Sequence, residues 1–190
     1  MTEIIGKDIF YLRSIRAEDK GKIYGWRNLP DVAKYMYTDH QITKEEHNHW
    51  FEQIINDKSR KYWIIVYDNE EVGLVNLYDI DTQNERCSWA FYITNLNLRG
   101  KGVGSLVEYH TLNHVFGRLR YNKLCCEVLI FNQSVIKMHK SFGFQQEGLF
   151  RQHRIKNGQF VDVVALAILK SEWDDNKPVI EKKLKAKGIL

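Results

Sequence analysis

The sequence predicts an α+β sandwich in which helices cover one mixed β-sheet. Its 190 residues are the length of one domain. Apolar residues make up 44% and charged residues 27%, which supports a packed core and argues against a disordered chain. Strand-sized apolar runs and segments of helical periodicity follow the order β-α-α-β-β-β-α-β-α-β-β. We therefore expect a central sheet of about seven strands flanked by about four helices.

In the first third of the chain, the residue pattern predicts one strand followed by helical segments. Residues 9–15 alternate as a β-strand does. Pro30 interrupts the helix that follows, because proline lacks the amide hydrogen that a helix interior needs. A further helical stretch is expected at about 31–37. Thr43 and Glu46 form a capping box for a helix at about 43–56.

The rest of the chain predicts the remaining strands and two helices. Residues 62–67, 71–78 and 87–93 are rich in β-branched and aromatic side chains, and Asp68-Asn69-Glu70 predicts a hairpin turn between the first two of these strands. Residues 103–116 have apolar side chains at helical spacing, and residues 124–131 are a nearly continuous apolar strand, which is typical of burial on both faces. A helix is expected from Asn132 to near Phe142. Asn157-Gly158 then predicts a hairpin between strands at 149–156 and 160–169.

Composition and charge exclude several classes of protein. The net charge of +4 is too small for a dedicated nucleic-acid binder but suits an anionic small-molecule ligand. Three cysteines cannot form a disulfide framework, and no apolar run approaches the ~20 residues of a membrane helix. The start at 1–7 lacks the pattern of a secretory signal. We expect a cytoplasmic monomer or homodimer with one domain at 1–173 and a basic tail at 174–190 that is a solvated amphipathic end.

The strongest chemical signal is a glycine-rich segment between a predicted strand and a predicted helix. Residues 98–105 read Leu-Arg-Gly-Lys-Gly-Val-Gly-Ser. Glycines allow a tight turn, and the amides at the start of the helix suit a phosphate or pyrophosphate. A dinucleotide fingerprint is excluded because Ser105 stands where its last glycine belongs, and a P-loop is excluded because Gly100-Lys101 is followed by Gly102.

Two motifs resemble those of the GNAT-type N-acetyltransferases. Arg99-x-x-Gly102-x-Gly104 resembles that family's pyrophosphate-binding motif, Gln/Arg-x-x-Gly-x-Gly/Ala. Asn132, followed about ten residues later by Gly-Phe at 143–144, resembles the second signature of the family. The order of elements matches the family over residues 9–173.

This resemblance implies the fold and the cosubstrate. The GNAT sheet is splayed between its fourth and fifth strands, here 87–93 and 124–131, and acetyl-CoA binds in the opening. The pantetheine arm extends the fourth strand like an added strand. The residues that the resemblance assigns to acetyl-CoA are Phe91, Tyr92, Ile93, Arg99, Gly100, Lys101, Gly102, Val103, Gly104, Ser105 and Asn132.

The family's chemistry, direct attack of an amine on the thioester, implies a proton donor for the leaving thiolate. The usual donor is a tyrosine seven residues after the asparagine, and here that position is His139. His139 lies on the apolar face of its predicted helix, so we expect it to point toward the sulfur. A buried histidine without a chemical role remains the alternative, with water or Tyr92 as the donor.

Glu127 is the candidate base because it is a carboxylate within an apolar strand. A buried charge is costly unless it faces a polar cleft or has a partner. Burial would make Glu127 a stronger base that deprotonates the amine directly or through water. The alternative is an ion pair with a neighbouring strand.

The first helices indicate the acceptor. Their aromatic and Arg-Asn-x-Pro segments resemble those GNAT enzymes of pseudaminic-acid biosynthesis that acetylate the 4-amino group of a UDP-linked amino-dideoxy sugar. Trp50 and Tyr37 could stack on uracil, and Arg27 could pair with a diphosphate. The predicted substrate ligands are Arg27, Asn28, Met36, Tyr37, His47 and Trp50, with Asn76, Tyr78 and Ser88 as further polar residues on the strands.

Other functions remain open on the same fold. Residues 147–151, Asp162 and Glu172-Trp173 resemble relatives that acetylate protein N-termini, such as those of ribosomal proteins. A polyamine acetyltransferase should have an acidic cleft, and a non-catalytic acyl-CoA sensor would keep the glycine loop but lose the acid and the base. His110 and His114 have metal-ligand spacing but no third ligand is apparent, so we expect no metal.

Overall fold

The computed structural model describes residues 4–190, and in this part of the chain eight strands form one mixed sheet. The strands are β1 (Ile4–Lys7), β2 (Phe10–Ser14), β3 (Lys61–Tyr67), β4 (Glu70–Asp81), β5 (Arg86–Ile93), β6 (Lys123–Leu129), β7 (Gln145–Lys156) and β8 (Gln159–Leu169). Their spatial order is β1-β2-β3-β4-β5-β6-β8-β7. Only the β5–β6 pair is parallel within this sheet.

Six α-helices cover the sheet within residues 4–190. They are α1 (Lys20–Arg27), α2 (Pro30–Ala33), α3 (Lys44–Ile54), α4 (Val103–Leu112), α5 (Gln133–Ser141) and α6 (Lys170–Ala186). The predicted α+β architecture is confirmed, with β1 as an eighth strand. Residues 1–3, where the predicted domain begins, lie outside the described residues. Pro30 both ends α1 and begins α2, because proline is tolerated in the first turn of a helix.

Both predicted hairpin turns have the backbone of type I′ turns. Asp68 and Asn69 join β3 to β4 with φ of 52° and 62°, and Asn157 and Gly158 join β7 to β8 with φ of 50° and 73°. Two successive residues with positive φ match the right-handed twist of the strands that they connect. The local turn chemistry therefore sets the register of both hairpins.

Alternation along the strands separates two apolar cores on opposite faces of the sheet. On β3, Trp63 and Ile65 belong to the larger core, which α4, α5 and α6 cover. Ile64 and Val66 belong to a smaller core under α1 and α3. Alternate residues of β3 therefore show which core lies on each face of the sheet.

The sheet opens between β5 and β6. These strands pair only at their first three positions, Arg86–Ser88 with Lys123–Cys125, and then diverge. On its other side β6 remains paired with β8 over seven residues. The divergence confirms the predicted splay between the fourth and fifth strands of the sequence-based count, and it creates a space that reaches into the middle of the sheet.

The C-terminal residues pack as a helix instead of forming a solvated tail. The expected boundary between residues 173 and 174 falls inside α6. Trp173, Ile180 and Leu184 lie on one side of this helix and are buried in the larger core. The lysines occupy the other side, so the charge-rich composition of this segment reflects the exposed face of an amphipathic helix.

Candidate active site

A cavity of about 920 Å³ occupies the opening between β5 and β6. It extends from the glycine-rich loop before α4 to the segment after α2. The sequence-predicted residues that line it are Met36, Tyr37, Phe91, Tyr92, Ile93, Arg99, Gly100, Lys101, Gly102, Gly104, Ser105, Glu127, Asn132 and His139. One continuous space therefore brings together the predicted cosubstrate loop, the predicted acid and the predicted base.

The glycine-rich loop has the backbone that an anion site needs. Gly100 and Gly102 have φ of 77° and 84°, a region that side chains disfavour. Gly102 is the N-cap of α4, so the first amides of that helix lack intrahelical acceptors. A Cβ added to Gly104 would lie 3.3 Å from the Met138 sulfur. These amides and the exposed Arg99 fit a pyrophosphate.

The strand and helix beside this loop complete the predicted cosubstrate groove. Phe91 and Tyr92 pair with β4 on one side and lie beyond the last β5–β6 pair on the other. The second edge of β5 is thus available to an extended ligand. Asn132 is the N-cap of α5 and lines the cavity. Val103 is fully buried and does not line the cavity, so it can contribute only its backbone.

His139 lies in the cavity wall and is bonded to a buried carboxylate. Its Nδ1 donates to Glu108 Oε1 at 2.8 Å, and the two side chains are 4% and 0% exposed. Burial alone would lower the pKa of His139, but the Glu108 charge and the Cys126 sulfur outweigh burial and raise that pKa to about 10. Burial also raises the pKa of Glu108. We place the shared proton on His139 because two partners favour its charged form.

Glu127 lines the cavity beside Tyr37 and is exposed. The expectation that burial would desolvate this carboxylate is wrong, because β6 alternates here and turns Glu127 away from the core. Tyr37 donates its hydroxyl to Glu127 Oε2 at 2.6 Å, and the Arg154 guanidinium lies 4.1 Å from the centre of the Tyr37 ring. Burial and the bond to Glu127 raise the pKa of Tyr37.

Three predicted substrate ligands have structural contacts instead of lining the cavity. Asn28 Nδ2 donates to the Ile42 carbonyl at 3.0 Å and its Oδ1 accepts from the Ile42 amide at 2.9 Å, which ties the end of α1 to the segment before α3. His47 is 2% exposed and donates Nε2 to the Lys20 carbonyl at 2.8 Å. Trp50 packs against His47 and Tyr62 in the smaller core. Their polar or aromatic character serves packing.

Arg27 lies outside the cavity wall, near Tyr92 and Tyr62. Burial lowers the pKa of its guanidinium. The hydroxyl of Tyr92 is buried and has no hydrogen-bond partner among residues 4–190. Tyr92 lines the cavity, but this hydroxyl is shielded beside Arg27 and Tyr62, which do not line it.

The three polar strand residues lie beside the cavity on the face that carries Glu127. Tyr78 pairs with Ser88, and Ser88 pairs with Cys125, two residues before Glu127. Burial and the Glu127 charge raise the pKa of Tyr78. Asn76 is on the same face of β4, two residues before Tyr78. None of these three is among the residues that line the cavity.

Sequence reasoning missed several residues that line the cavity or, like Glu108, support its wall from behind. Glu108 could have been identified from the sequence, because it is a carboxylate within the apolar face of a predicted helix. The same reasoning, that a buried charge needs a partner or a polar cleft, had identified Glu127 on its strand. Cys126 faces His139 from β6, and only the fold shows this. Other unpredicted residues in the wall are Asp31, Tyr35, Leu98, Met138, Lys187 and Ile189.

The described part of the chain, residues 4–190, offers neither a cluster of metal ligands nor a membrane-spanning helix. No group of three or more His, Cys, Asp or Glu side chains is arranged to hold a metal ion in this part of the chain. None of the helices described here combines the length and apolarity needed to cross a membrane.

Comparisons with known proteins place the chain in a family. It is 30% identical over 122 residues to acetyltransferase PseH of Campylobacter jejuni, covering 64% of this chain and 74% of that one. It is 24% identical over 162 residues to spermidine N(1)-acetyltransferase of Escherichia coli, covering 85% and 87%. The crystal structure of spermidine N-acetyltransferase from Vibrio cholerae with CoA and spermine has a TM-score of 0.80 at 21% identity, covering 88% and 99%.

The family model for the acetyltransferase (GNAT) domain matches residues 10–145, which include the strands that splay, the glycine loop and α5. The fold and the cavity agree with this match. The protein is therefore an acetyltransferase of the GNAT family.

Proposed function

We propose that this protein transfers the acetyl group of acetyl-CoA to the 4-amino group of a UDP-linked amino-dideoxy sugar, as in pseudaminic-acid biosynthesis in the cytoplasm. The observation that carries the transfer chemistry is the single cavity shared by the glycine loop, His139 and Glu127. The acceptor rests on the resemblance of the first helices and on the relatives named acetyltransferase PseH.

Residues on both sides of the splay would hold the cosubstrate. The amides at the start of α4 and the side chains of Arg99 and Lys101 would bind the pyrophosphate. The free edge of β5 at Phe91–Ile93 and the Asn132 side chain would hold the pantetheine arm. Acetyl-CoA, when bound, supplies the thioester, and the protein positions the acceptor amine and manages protons.

The acid and the base have separate places in the cavity. We assign the amine proton to Glu127 Oε1, directly or through water, because Oε2 already accepts from Tyr37. His139, kept charged by Glu108, would donate a proton to the departing sulfur. Tyr92, with its hydroxyl lacking a partner among residues 4–190, is the other candidate donor. An acid and a base that do not contact each other can hold opposite protonation states.

The acceptor end suits a ring-bearing substrate better than a polyamine. Tyr35 and Tyr37 present aromatic surface to the cavity, and Arg154 lies against the Tyr37 ring. The carboxylates that line this cavity, within residues 4–190, are Asp31 and Glu127. Asp31 is already paired, at 2.7 Å from Lys34 Nζ and 3.8 Å from Arg99 Nη2.

Polyamine acetylation is the second candidate. Its support is the similarity over most of the chain to spermidine N(1)-acetyltransferase and the matching fold of the structure with CoA and spermine. A polyamine carries several ammonium groups, which would need more free carboxylates than Glu127 alone supplies.

A substrate comparison tests the proposal. CoA release is measured with UDP-4-amino-4,6-dideoxy-N-acetyl-β-L-altrosamine, with spermidine and with a peptide bearing a free N-terminus, each with and without added UDP. We expect the highest kcat/KM for the sugar nucleotide and competitive inhibition by UDP. A higher kcat/KM for spermidine without inhibition by UDP would refute the proposed acceptor. No turnover with any amine, despite CoA binding, would support the sensor alternative.

A further inference from the structure

The C-terminal end of α6 is shaped by a Schellman motif. Gly188 has φ of 64° and donates its amide to the Lys185 carbonyl at 2.9 Å. The Ile189 amide donates to the Leu184 carbonyl at 3.0 Å. These two bonds and the left-handed glycine reverse the chain directly after the helix. The last residues therefore return along the protein surface in a defined direction.

This reversal places the C-terminal residues on the glycine loop. A Cβ added to Gly102 would lie 2.7 Å from Ile189 Cδ1 and Cγ1, so the isoleucine covers the N-cap of α4. Ile189 also packs against the larger core. Lys187, two residues earlier, lines the same cavity as Arg99 and Lys101. A lysine that is remote in sequence thus joins the two cations of the loop.

We infer that Lys187 is a cosubstrate-binding residue whose ammonium pairs with a phosphate of the nucleotide end of acetyl-CoA, and that Ile189 holds it there. The inference rests on the proposed binding of acetyl-CoA. The family match ends at residue 145, so this contact belongs to the part of the chain outside the matched domain. Three cations near one loop suit a ligand that carries several phosphate charges.

The contact with Ile189 is a second reason for a glycine at position 102. The positive φ of Gly102 already favours glycine, and the contact with Ile189 leaves no room for a side chain. Ile189 closes the outer side of the loop, while Lys187 remains exposed to the cavity. None of the lysines within α6 lines the cavity, and Lys183 is an exposed example.

Binding calorimetry on the full chain tests the inference without turnover. CoA, 3′-dephospho-CoA and pantetheine are titrated into the wild type, Lys187→Ala and the matched control Lys183→Ala. We expect Lys187→Ala to weaken CoA binding about five- to tenfold, as for an exposed charge-assisted contact, while pantetheine binding stays unchanged. If Lys187→Ala also weakens the binding of 3′-dephospho-CoA, Lys187 contacts the pyrophosphate. If it weakens only the binding of CoA, Lys187 contacts the 3′-phosphate.

A second variant tests whether Ile189 and the helix cap hold Lys187 in place. Deletion of residues 188–190 keeps Lys187 but removes the cap and Ile189, and we expect it to weaken CoA binding with the protein still folded by thermal melting. Equal CoA affinity in Lys187→Ala and Lys183→Ala would overturn the inference, as would tighter binding after the deletion, since the segment would then obstruct the site. Failure of the wild type to bind CoA would refute the proposed function itself.

Discussion

Replacing Glu108 by glutamine removes the charge that faces His139 while nearly keeping the shape of the side chain. Glu108 Oε1 accepts from His139 Nδ1 at 2.8 Å, and the pair is buried beside Cys126. An acid must be protonated to act, so a raised pKa extends its working range upward in pH. We expect the variant to lose activity at alkaline pH and to keep much of it at acidic pH.

The size of the effect follows from the environment of His139. Its pKa is about 10 in the wild type, against an ordinary value of 6.5. Without the Glu108 charge, burial lowers the pKa of His139 and only Cys126 still raises it, so that pKa falls well below about 10. Each unit of the fall is worth about 1.4 kcal/mol and reduces the protonated fraction about tenfold at a pH above the new pKa. A fall as far as the ordinary value of a histidine would leave about 3% of the imidazole protonated at pH 8 and lower kcat about 30-fold.

The assay is kcat at saturating substrates from pH 5.5 to 10.5. Deprotonation of the acceptor amine governs the acid limb, and His139 governs the alkaline limb. Glu181→Gln is the matched control. Glu181, on α6, accepts at 2.6 Å from Tyr109, the neighbour of Glu108 on α4, but it has no bond to His139. An alkaline limb that stays near pH 10 in Glu108→Gln would refute the idea that Glu108 keeps His139 charged.

Other variants test the remaining parts of the site. His139→Phe should lower kcat about 10²-fold with little change in CoA affinity, and His139→Tyr should restore part of the lost kcat. A wild-type kcat in His139→Phe would show that the histidine has only a structural role. Glu127→Gln should also lower kcat about 10²-fold, and a loss seen only in KM would assign it to binding. Gly104→Val should weaken CoA binding strongly by calorimetry, and unchanged affinity would remove the anion site from this loop. Asn28→Ala should lower the free energy of unfolding, measured in urea, by about 1–3 kcal/mol, because it removes two hydrogen bonds to Ile42. The KM for the acceptor should stay unchanged, and a raised value would show that Asn28 is a substrate ligand after all.

Features that depend on neighbouring residues were predicted from the sequence. The hairpin turns at Asp68-Asn69 and Asn157-Gly158 follow from local backbone preferences. The glycine loop and Asn132, which the sequence predicts as cosubstrate ligands, both line the cavity, because both directly precede a helix and their backbone geometry is local. The splay was predicted only through the resemblance to the family.

Features that depend on contacts between distant residues were decided by the tertiary structure. Glu108 and His139 are 31 residues apart, and Tyr37 and Glu127 are 90 apart. Whether a polar side chain lines a cavity or fills a core depends on which surfaces cover it. His47 is an example, since its aromatic neighbours suggested a ligand but its Nε2 bonds to the Lys20 carbonyl in the protein interior.

The sequence by itself determined the resemblance to the family, the glycine loop and the chain positions of the residues that we propose as acid and base. The tertiary structure decided the charge state of His139, the exposure of Glu127 and the return of the C-terminus to Gly102. The physical reason is that local motifs depend on backbone geometry over a few residues. Electrostatic environment depends instead on burial and on partners that only folding brings within hydrogen-bond distance.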